Sequence, residues 1–171
     1  MPQMVEKPAN CGIVVLEWGP SRKKHRHIEE APENPWRKEL TEAAKLRGVK
    51  VMVIDDSNTI RRSAEIFLVQ AGCQVLLAED GFDALSKIAD HQPDIIFCDI
   101  MMPRLDGYQT CALIKKNARF RATPVIMLSS KDGLFDRARG RMVGSDQYLT
   151  KPFTKDSLLQ AVASFAPQPV Q

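Results

Sequence analysis

The sequence predicts an α/β fold in which five parallel β-strands form one sheet with helices on both of its faces. Two observations support this prediction. Short apolar runs alternate strictly with segments of helical periodicity between residues 49 and 166. The strand-like runs are nearly continuously apolar, as is typical of strands buried on both sides. Strict alternation indicates βαβ units with right-handed crossovers, and such crossovers require a parallel sheet.

The first strand–helix unit is the apolar run VKVMVID (49–55) followed by SNTIRRSAEIFLVQAG (57–72). Within the second segment, apolar side chains recur at helical spacing. Ser57 is suited to the N-cap because its hydroxyl can accept a hydrogen bond from a free backbone N–H of the first turn. Gly72 follows the last apolar position and is suited to the C-cap, where a left-handed backbone is common. These features predict a strand and a well-terminated helix.

The second and third units follow the same pattern. QVLLAE (74–79) predicts a strand and GFDALSKIAD (81–90) a helix. DIIFCD (94–99) predicts the third strand. YQTCALIKKN (108–117) predicts a helix, which we expect the preceding Asp-Gly pair to open.

The last two units are less regular. PVIMLSS (124–130) predicts a strand, and LFDRARGRMVG (134–144) predicts a helix that Gly140 weakens. QYLT (147–150) predicts a short strand and KDSLLQAVASF (155–165) a final helix. Because few residues follow this helix, we expect output through protein binding and not through an attached domain.

Residues 1–48 differ from the rest of the chain. They contain the basic cluster SRKKHRH (21–27) and no long apolar periodicity, apart from a short helix suggested by RKELTEAAKL (37–46). We therefore predict a mostly disordered extension over 1–48, a domain over 49–166 and a short tail over 167–171. We expect the basic cluster to be solvated, with contact to an anionic surface as the alternative.

Composition excludes several classes of protein. The chain has 171 residues, 44% of them hydrophobic, and a net charge of +3, which is too small to indicate nucleic-acid or membrane binding. No segment approaches the roughly 20 apolar residues that a bilayer-spanning helix needs, and the N-terminus does not have the pattern of a secretory signal. We expect a cytoplasmic protein. Its four cysteines, which show no metal-ligand spacing, should be free thiols: Cys11, Cys73, Cys98 and Cys111.

Polar side chains follow four of the predicted strands at their carboxyl ends. Asp55 and Asp56 end the first strand, and Asp99 ends the third. Ser129 ends the fourth strand, and Lys151 follows the fifth. Because the carboxyl ends of parallel strands meet at one edge of the sheet, we expect these side chains to converge.

This set of side chains indicates phosphoryl chemistry. Three carboxylates repel one another unless a cation is present, and their hard oxygens suit Mg²⁺. A carboxylate can attack phosphorus, and a lysine and a hydroxyl can stabilise the transferred group. Each residue alone is more simply explained as a helix cap, a turn residue or a surface charge. Their convergence on one edge is not predicted by that alternative.

Four motifs, in order, carry a resemblance to a known family. VMVIDDS, FCDIMMPRLDG, VIMLSS and YLTKPF resemble the receiver domain of two-component response regulators, the CheY-like family. The resemblance covers about 49–166 and implies a flavodoxin-like, doubly wound (βα)5 fold. DGYQTCALIK and SSKDGLFD…GSDQYLTKPF resemble CheY-like regulators of type IV pilus systems, which implies control of twitching motility.

The resemblance assigns a phosphoacceptor and a metal site. Asp99 would accept a phosphoryl group from the phosphohistidine of a CheA-like histidine kinase. Asp55, Asp56 and Asp99 would hold Mg²⁺ together with the backbone carbonyl of Met101. Some family members carry a polar or acidic side chain at position 101. The apolar side chain of Met101 therefore leaves the lifetime of the phosphorylated state open.

The resemblance also implies a switch. Ser129 and Lys151 would bind the phosphoryl group, and the Lys151–Pro152 peptide bond is usually cis in this family. Ser129 would move towards the new oxygens, and Tyr148 would fill the vacated space. The face made by the fourth helix, the fifth strand and the fifth helix would then change. We expect a monomer that signals to an effector protein of the pilus machinery.

Two other functions remain as alternatives. The first is a phosphate sink that accepts phosphoryl groups without an effector. The second is a Mg²⁺-dependent phosphohydrolase, which is disfavoured because Met101 stands where such enzymes carry a second aspartate. We therefore expect a protein that is not an enzyme, apart from autodephosphorylation. We also expect Cys98 to be a small buried residue and not a redox sensor. Three arginines of the predicted fourth helix are either solvated or flank the output face: Arg137, Arg139 and Arg141.

Overall fold

The computed structural model describes residues 44–130 and 134–167, with side chains in the second range from residue 137 onward. Ten elements alternate along the chain in the predicted order, and the predicted fold class is confirmed. They are β1 Lys50–Ile54, α1 Asn58–Gln70, β2 Gln74–Ala78, α2 Gly81–His91, β3 Ile95–Asp99, α3 Gly107–Lys116, β4 Val125–Ser129, α4 Leu134–Met142, β5 Gln147–Thr150 and α5 Lys155–Phe165.

The five strands form one sheet in the order β2-β1-β3-β4-β5, and every neighbouring pair is parallel. β1 and β3 pair in the register Val53 with Phe97, so their carboxyl ends lie side by side. The strand order reverses direction between β1 and β3. Ligands of open α/β sheets bind at such a switch point, beyond the carboxyl ends of the strands.

The side chains of the strands alternate between two apolar layers. Val51 and Val53 pack with α1 and α5 on one face, whereas Met52 and Ile54 pack with α2 and α3 on the other. β3 and β4 are buried along their whole length. Burial on both faces explains why the central runs are continuously apolar instead of alternating.

Three residues that the sequence places at helix ends lie there in the structure. The Ser57 hydroxyl accepts a hydrogen bond from the backbone N–H of Ile60 at 3.4 Å and caps α1. Gly72 follows the C-cap residue Ala71 of α1 and has a φ of 89°, a conformation that glycine adopts without strain. Asp106 opens α3 as its N-cap, with the reciprocal hydrogen bonds of a capping box.

The packed region begins before the predicted boundary at residue 49. Leu46 is only 4% exposed and packs into the layer of α1 and α5. Its carbonyl oxygen accepts a weak hydrogen bond from the Cys73 thiol, with the sulfur 3.5 Å away. The Gly48 N–H donates a hydrogen bond of 2.9 Å to the carbonyl of Gly72. Only the end of the predicted short helix, at 44–46, is described and is helical.

The remaining predictions for the two termini fall outside the described residues. These are the disorder of the extension before residue 44, the state of the basic cluster, and the last four residues of the tail. Among the residues that are described, no helix combines the length and the hydropathy needed to cross a membrane.

Replacing Leu46 with alanine should lower the free energy of unfolding by about 2–4 kcal/mol, because the change leaves a cavity beneath α1 and α5. Chemical denaturation followed by circular dichroism measures this difference. The matched control is Leu113→Ala, since Leu113 is 44% exposed and its truncation should have a small effect. Equal effects of the two substitutions would show that Leu46 is not part of the core.

Candidate functional site

The predicted site residues lie together at the carboxyl edge of the sheet. Asp55 directly follows β1, Asp99 is the last residue of β3, and Lys151 directly follows β5. The Lys151 Nζ atom lies 2.8 Å from Asp55 Oδ2 and 2.9 Å from Asp99 Oδ1. One ammonium group therefore bridges the ends of three strands.

The three carboxylates form a cluster. One oxygen each of Asp55, Asp56 and Asp99 lies within 4.8 Å of the other two. Asp55 is fully buried and Asp99 is 2% exposed, whereas Asp56 faces solvent. The cluster is open on one side and closed on the other, an arrangement that suits a cation reached from solvent.

Asp55 is held in place from several directions. Its Oδ1 atom accepts a hydrogen bond from the Ser57 backbone N–H at 2.9 Å, and its Oδ2 atom accepts one from Lys151. Its backbone carbonyl accepts a hydrogen bond from the Arg61 guanidinium at 2.5 Å. These contacts fix the orientation of a buried carboxylate and compensate part of its desolvation.

The Asp99 carboxylate is less completely satisfied. Its Oδ1 atom lies within ion-pair distance of Lys151, but the direction is unsuited to a hydrogen bond. Asp99 Oδ1 is therefore buried without a hydrogen-bond partner among the described residues. A buried carboxylate oxygen in this state is available to a ligand, and a hard cation is the ligand that three acidic neighbours favour.

Burial and neighbouring charges shift the pKa values of Asp99 and Lys151. Burial raises the pKa of Asp99, the contact with Lys151 opposes this, and the charge of Asp55 adds to the increase. Burial alone would lower the pKa of Lys151, but its contacts with Asp55 and Asp99 outweigh burial and raise it. Lys151 therefore stays positively charged at neutral pH. One ammonium faces three acids, so the described site has an excess of negative charge.

The other predicted residues surround this cluster. Ser129 ends β4, is 4% exposed, and accepts a backbone hydrogen bond from the Lys151 N–H at 2.6 Å. Tyr148 lies on β5, where the Arg137 guanidinium stacks 5.6 Å from its ring centre. The Lys151–Pro152 bond is cis, as predicted.

Met101 lies in the segment that follows Asp99. Its backbone has a small lowering effect on the pKa of the Asp99 carboxyl, against the larger effect of burial, and its side chain is 73% exposed. It lines a cleft of about 370 Å³ together with Asp56, Tyr108 and Arg139. No contact of the Met101 carbonyl is seen in the described residues, so its part in a metal site stays a prediction.

Sequence reasoning missed two features around Asp99. It recognised Gly107 only as part of a helix start, yet a Cβ atom there would lie 2.1 Å from the Asp99 carbonyl oxygen. It gave no role to Arg104, whose guanidinium pairs with the buried carboxylate of Asp80. The Asp-Gly pair at the start of α3 was a signal for the first feature. No local signal relates positions 80 and 104.

The three described cysteines are buried and should resist alkylation in the native state. Burial raises the pKa of Cys98 well above its usual value, and burial raises the pKa of Cys73 and of Cys111 to about 11. At neutral pH all three remain thiols, which are weak nucleophiles. Iodoacetamide labelling followed by peptide mass spectrometry should modify them only after unfolding. Rapid native labelling of Cys98 would favour the redox alternative.

Comparison with known proteins adds independent information. The chain matches the family described as response regulator receiver domain over residues 51–163. It is 72% identical over 120 residues to Protein PilG of Pseudomonas aeruginosa, covering 70% of this chain and 89% of that protein. It is 38% identical over 111 residues to the response regulator MprA of a Mycobacterium species, covering 65% of this chain. The chain spans about half of MprA, 47% of its length.

Solved structures share the fold. The chemotaxis protein CheY4 of Vibrio cholerae superimposes with a TM-score of 0.67 at 30% identity, covering 69% of this chain and 98% of that one. The receiver domain of the Francisella response regulator 1452 superimposes with a TM-score of 0.65 at 36% identity. That match covers 70% of this chain and 97% of the other.

Proposed function

The chain belongs to the response regulator receiver domain family, and from this premise we propose that it is a signalling phosphoacceptor, phosphorylated on Asp99 by a histidine kinase. The observation that carries the proposal is the position of Asp99. It ends the central strand β3, contacts the Lys151 ammonium at 2.9 Å, and lies beside two further carboxylates. Capping does not explain three acids and a lysine at this point.

The proposed reaction transfers a phosphoryl group between two side chains. An Asp99 carboxylate oxygen attacks phosphorus, a P–O bond forms, and the P–N bond to the kinase histidine breaks. The imidazole leaves with the electron pair of that bond. Lys151 holds its positive charge beside the incoming oxygens, and the Ser129 hydroxyl is the proposed hydrogen-bond donor to the phosphoryl group.

The residues present fit a magnesium ion. Asp55, Asp56 and Asp99 supply hard oxygen donors within 4.8 Å of one another, and Asp99 Oδ1 is buried without a hydrogen bond from the described part of the chain. We propose that these three carboxylates hold the ion, with the Met101 carbonyl as a fourth protein ligand. The bound ion would neutralise the charge that gathers on the transferred oxygens.

The proposed output face consists of α4, β5 and α5. Tyr148 stands on β5 at this face, and Arg137 and Arg141 share with it a pocket of about 320 Å³. We propose that displacement of Ser129 and Tyr148 on phosphorylation reshapes this face. Two arginines line the pocket, and Asp146, which also lines it, pairs with Lys115 at 2.7 Å. The effector should therefore present acidic side chains to the arginines.

The relatives are the basis on which we propose the kinase and the biological output. The similarity to Protein PilG supports a CheA-like histidine kinase as phosphodonor and a component of the type IV pilus machinery as effector. In this proposal the protein acts in the cytoplasm as a monomer and controls twitching motility. A phosphate sink without an effector is the second candidate, since the phosphoryl site alone serves both functions.

The phosphoacceptor proposal is tested by incubating the full chain with acetyl phosphate. One phosphoryl group should appear, only when Mg²⁺ is present, on the peptide that contains Asp99. Borohydride reduction followed by mass spectrometry locates the group. Labelling that persists in EDTA, or that maps to another peptide, would contradict the proposed site.

The effector and the sink differ in cells. Motility is compared between a strain lacking the kinase and a strain lacking both the kinase and this protein. A sink has nothing to drain without the kinase, so the two strains should then move equally. An additional defect in the double deletion supports an effector role.

A further inference from the structure

An ion pair outside the phosphoryl site joins two of the loops that surround it. The Arg104 guanidinium, in the loop 100–106 between β3 and α3, pairs with Asp80 at the start of α2. The Asp80 side chain is only 7% exposed, whereas that of Arg104 is 65% exposed. Asp80 Oδ1 also caps α2 by accepting the Asp83 N–H at 2.9 Å. The buried carboxylate therefore draws its positive partner from a neighbouring loop.

The backbone of Arg104 is in an unusual conformation. Its φ of 67° lies in the left-handed region, which costs a residue with a Cβ atom about 1 kcal/mol. Its guanidinium also stacks 5.8 Å from the ring centre of Phe82, the second residue of α2. Contacts with Asp80 and Phe82 thus hold an arginine where glycine would be less strained.

The loop that Arg104 fixes also carries the residue beside the phosphoacceptor. Met101 lies two residues after Asp99, and it lines a cleft together with Asp56 of the carboxylate cluster. The loop is closed by a hydrogen bond of 3.0 Å from the Gly107 N–H to the Ile100 carbonyl. Because the segment is short and closed, movement at Arg104 changes the backbone at Met101.

We propose that Arg104 is a positioning residue: its ion pair with Asp80 holds the loop 100–106 so that the Met101 backbone stays aligned with Asp99. This inference rests on the proposed function, because it concerns the same metal and phosphoryl site. Loss of the pair lowers the affinity for Mg²⁺ and changes the lifetime of the phosphoryl group.

Three substitutions separate positioning from stability. Asp80→Asn removes the charge but keeps a side chain that caps α2 equally well. Arg104→Gly removes the pair and relieves the left-handed strain, but it leaves the buried Asp80 carboxylate without that partner, so we expect a lower melting temperature and measure binding well below it. Arg104→Lys keeps the positive charge and should restore part of the affinity.

Calorimetric titration with Mg²⁺ alone provides the main measurement. Asp80→Asn and Arg104→Gly should weaken binding by about tenfold, as for other residues that orient metal ligands. The half-life of the phosphoryl group, measured after removal of acetyl phosphate, should change in the same two variants. Thermal unfolding of both variants shows whether they are folded at the temperature of the titration.

Arg62→Gln is the matched control, because Arg62 is 66% exposed and pairs with Glu65 at 2.6 Å on α1, away from the loop. It should bind Mg²⁺ like the parent. Parent-like affinity and half-life in both pair variants would overturn the positioning role while leaving the proposed function intact. If the parent itself neither binds Mg²⁺ nor accepts a phosphoryl group, the proposed function fails, and the positioning role fails with it.

Discussion

Replacing Asp99 with asparagine should reduce phosphoryl labelling by acetyl phosphate to background, because the amide cannot act as the nucleophile. The change keeps the shape of the side chain at the end of β3. It also leaves Lys151 paired with Asp55 at 2.8 Å, so the site should remain assembled. Intact-mass spectrometry after incubation with acetyl phosphate and Mg²⁺ provides the measurement. Asp90→Asn, on the exposed end of α2, is the matched control and should label like the parent.

The same substitution should stabilise the fold in metal-free buffer. The folded state raises the pKa of Asp99, mainly by burial and also through the charge of Asp55, so it binds the Asp99 proton more tightly than the unfolded state does. The stability contributed by the protonated acid is therefore full below the ordinary carboxyl pKa and is lost as pH rises through the raised value. Asparagine stays neutral throughout. At pH 7 in EDTA, the free energy of unfolding of the Asp99→Asn variant should exceed that of the parent. A lower value would contradict a raised pKa of Asp99 in the folded state.

Gly107→Ala should destabilise the protein by about 3 kcal/mol, a large effect for the addition of one methyl group. A Cβ atom there would lie 2.1 Å from the carbonyl oxygen of Asp99 and 2.8 Å from the Cα atom of Ile100. Both contacts are with backbone atoms, one in the last residue of β3 and one in the residue after it, so no side-chain rotation can relieve them. Either α3 shifts or the end of β3 moves with the phosphoacceptor. Denaturant unfolding measures the loss, and labelling with acetyl phosphate should fall in the folded fraction.

Gly140→Ala is the control for that prediction. A Cβ atom at Gly140 would lie 2.9 Å from the Ser145 hydroxyl, a side-chain atom, and 3.9 Å from Met127 Cγ. Alanine also gains about 1 kcal/mol of helix propensity in α4. The two effects should nearly cancel. If both alanine variants unfold at the same denaturant concentration, the close approach of α3 to β3 is not what requires Gly107.

Much of this architecture was predictable from the sequence, because the spacing of apolar residues indicates strands and helices, and capping residues indicate where helices begin and end. Continuous apolar runs located β3 and β4, and polar N-cap residues such as Ser57 located helix starts. Parallel pairing of the predicted strands then places Asp55, Asp99 and Lys151 on one edge of the sheet. The structure confirms that meeting by distance. What the three side chains do together remains a proposal.

The unpredicted features depend on contacts between distant segments. Leu46 occupies the core although its flanking residues are polar, because its place is set by α1 and α5 and not by its neighbours in sequence. The pairing of Arg104 with Asp80 joins two loops whose positions depend on the packed sheet. The clash at Gly107 arises only once α3 lies against β3. None of these contacts leaves a periodic pattern in the sequence.

The burial of Leu46 has a practical consequence for where the domain can be attached to something else. Leu46 and Gly48 precede β1, so the chain enters the sheet at the amino ends of its strands. The carboxylates lie at the other end, five residues of β1 away, or about 16 Å. A fluorescent protein or an affinity handle fused ahead of residue 44 would join the domain at the pole opposite to the acids. Such a fusion should leave phosphorylation by a kinase unhindered at its point of attachment.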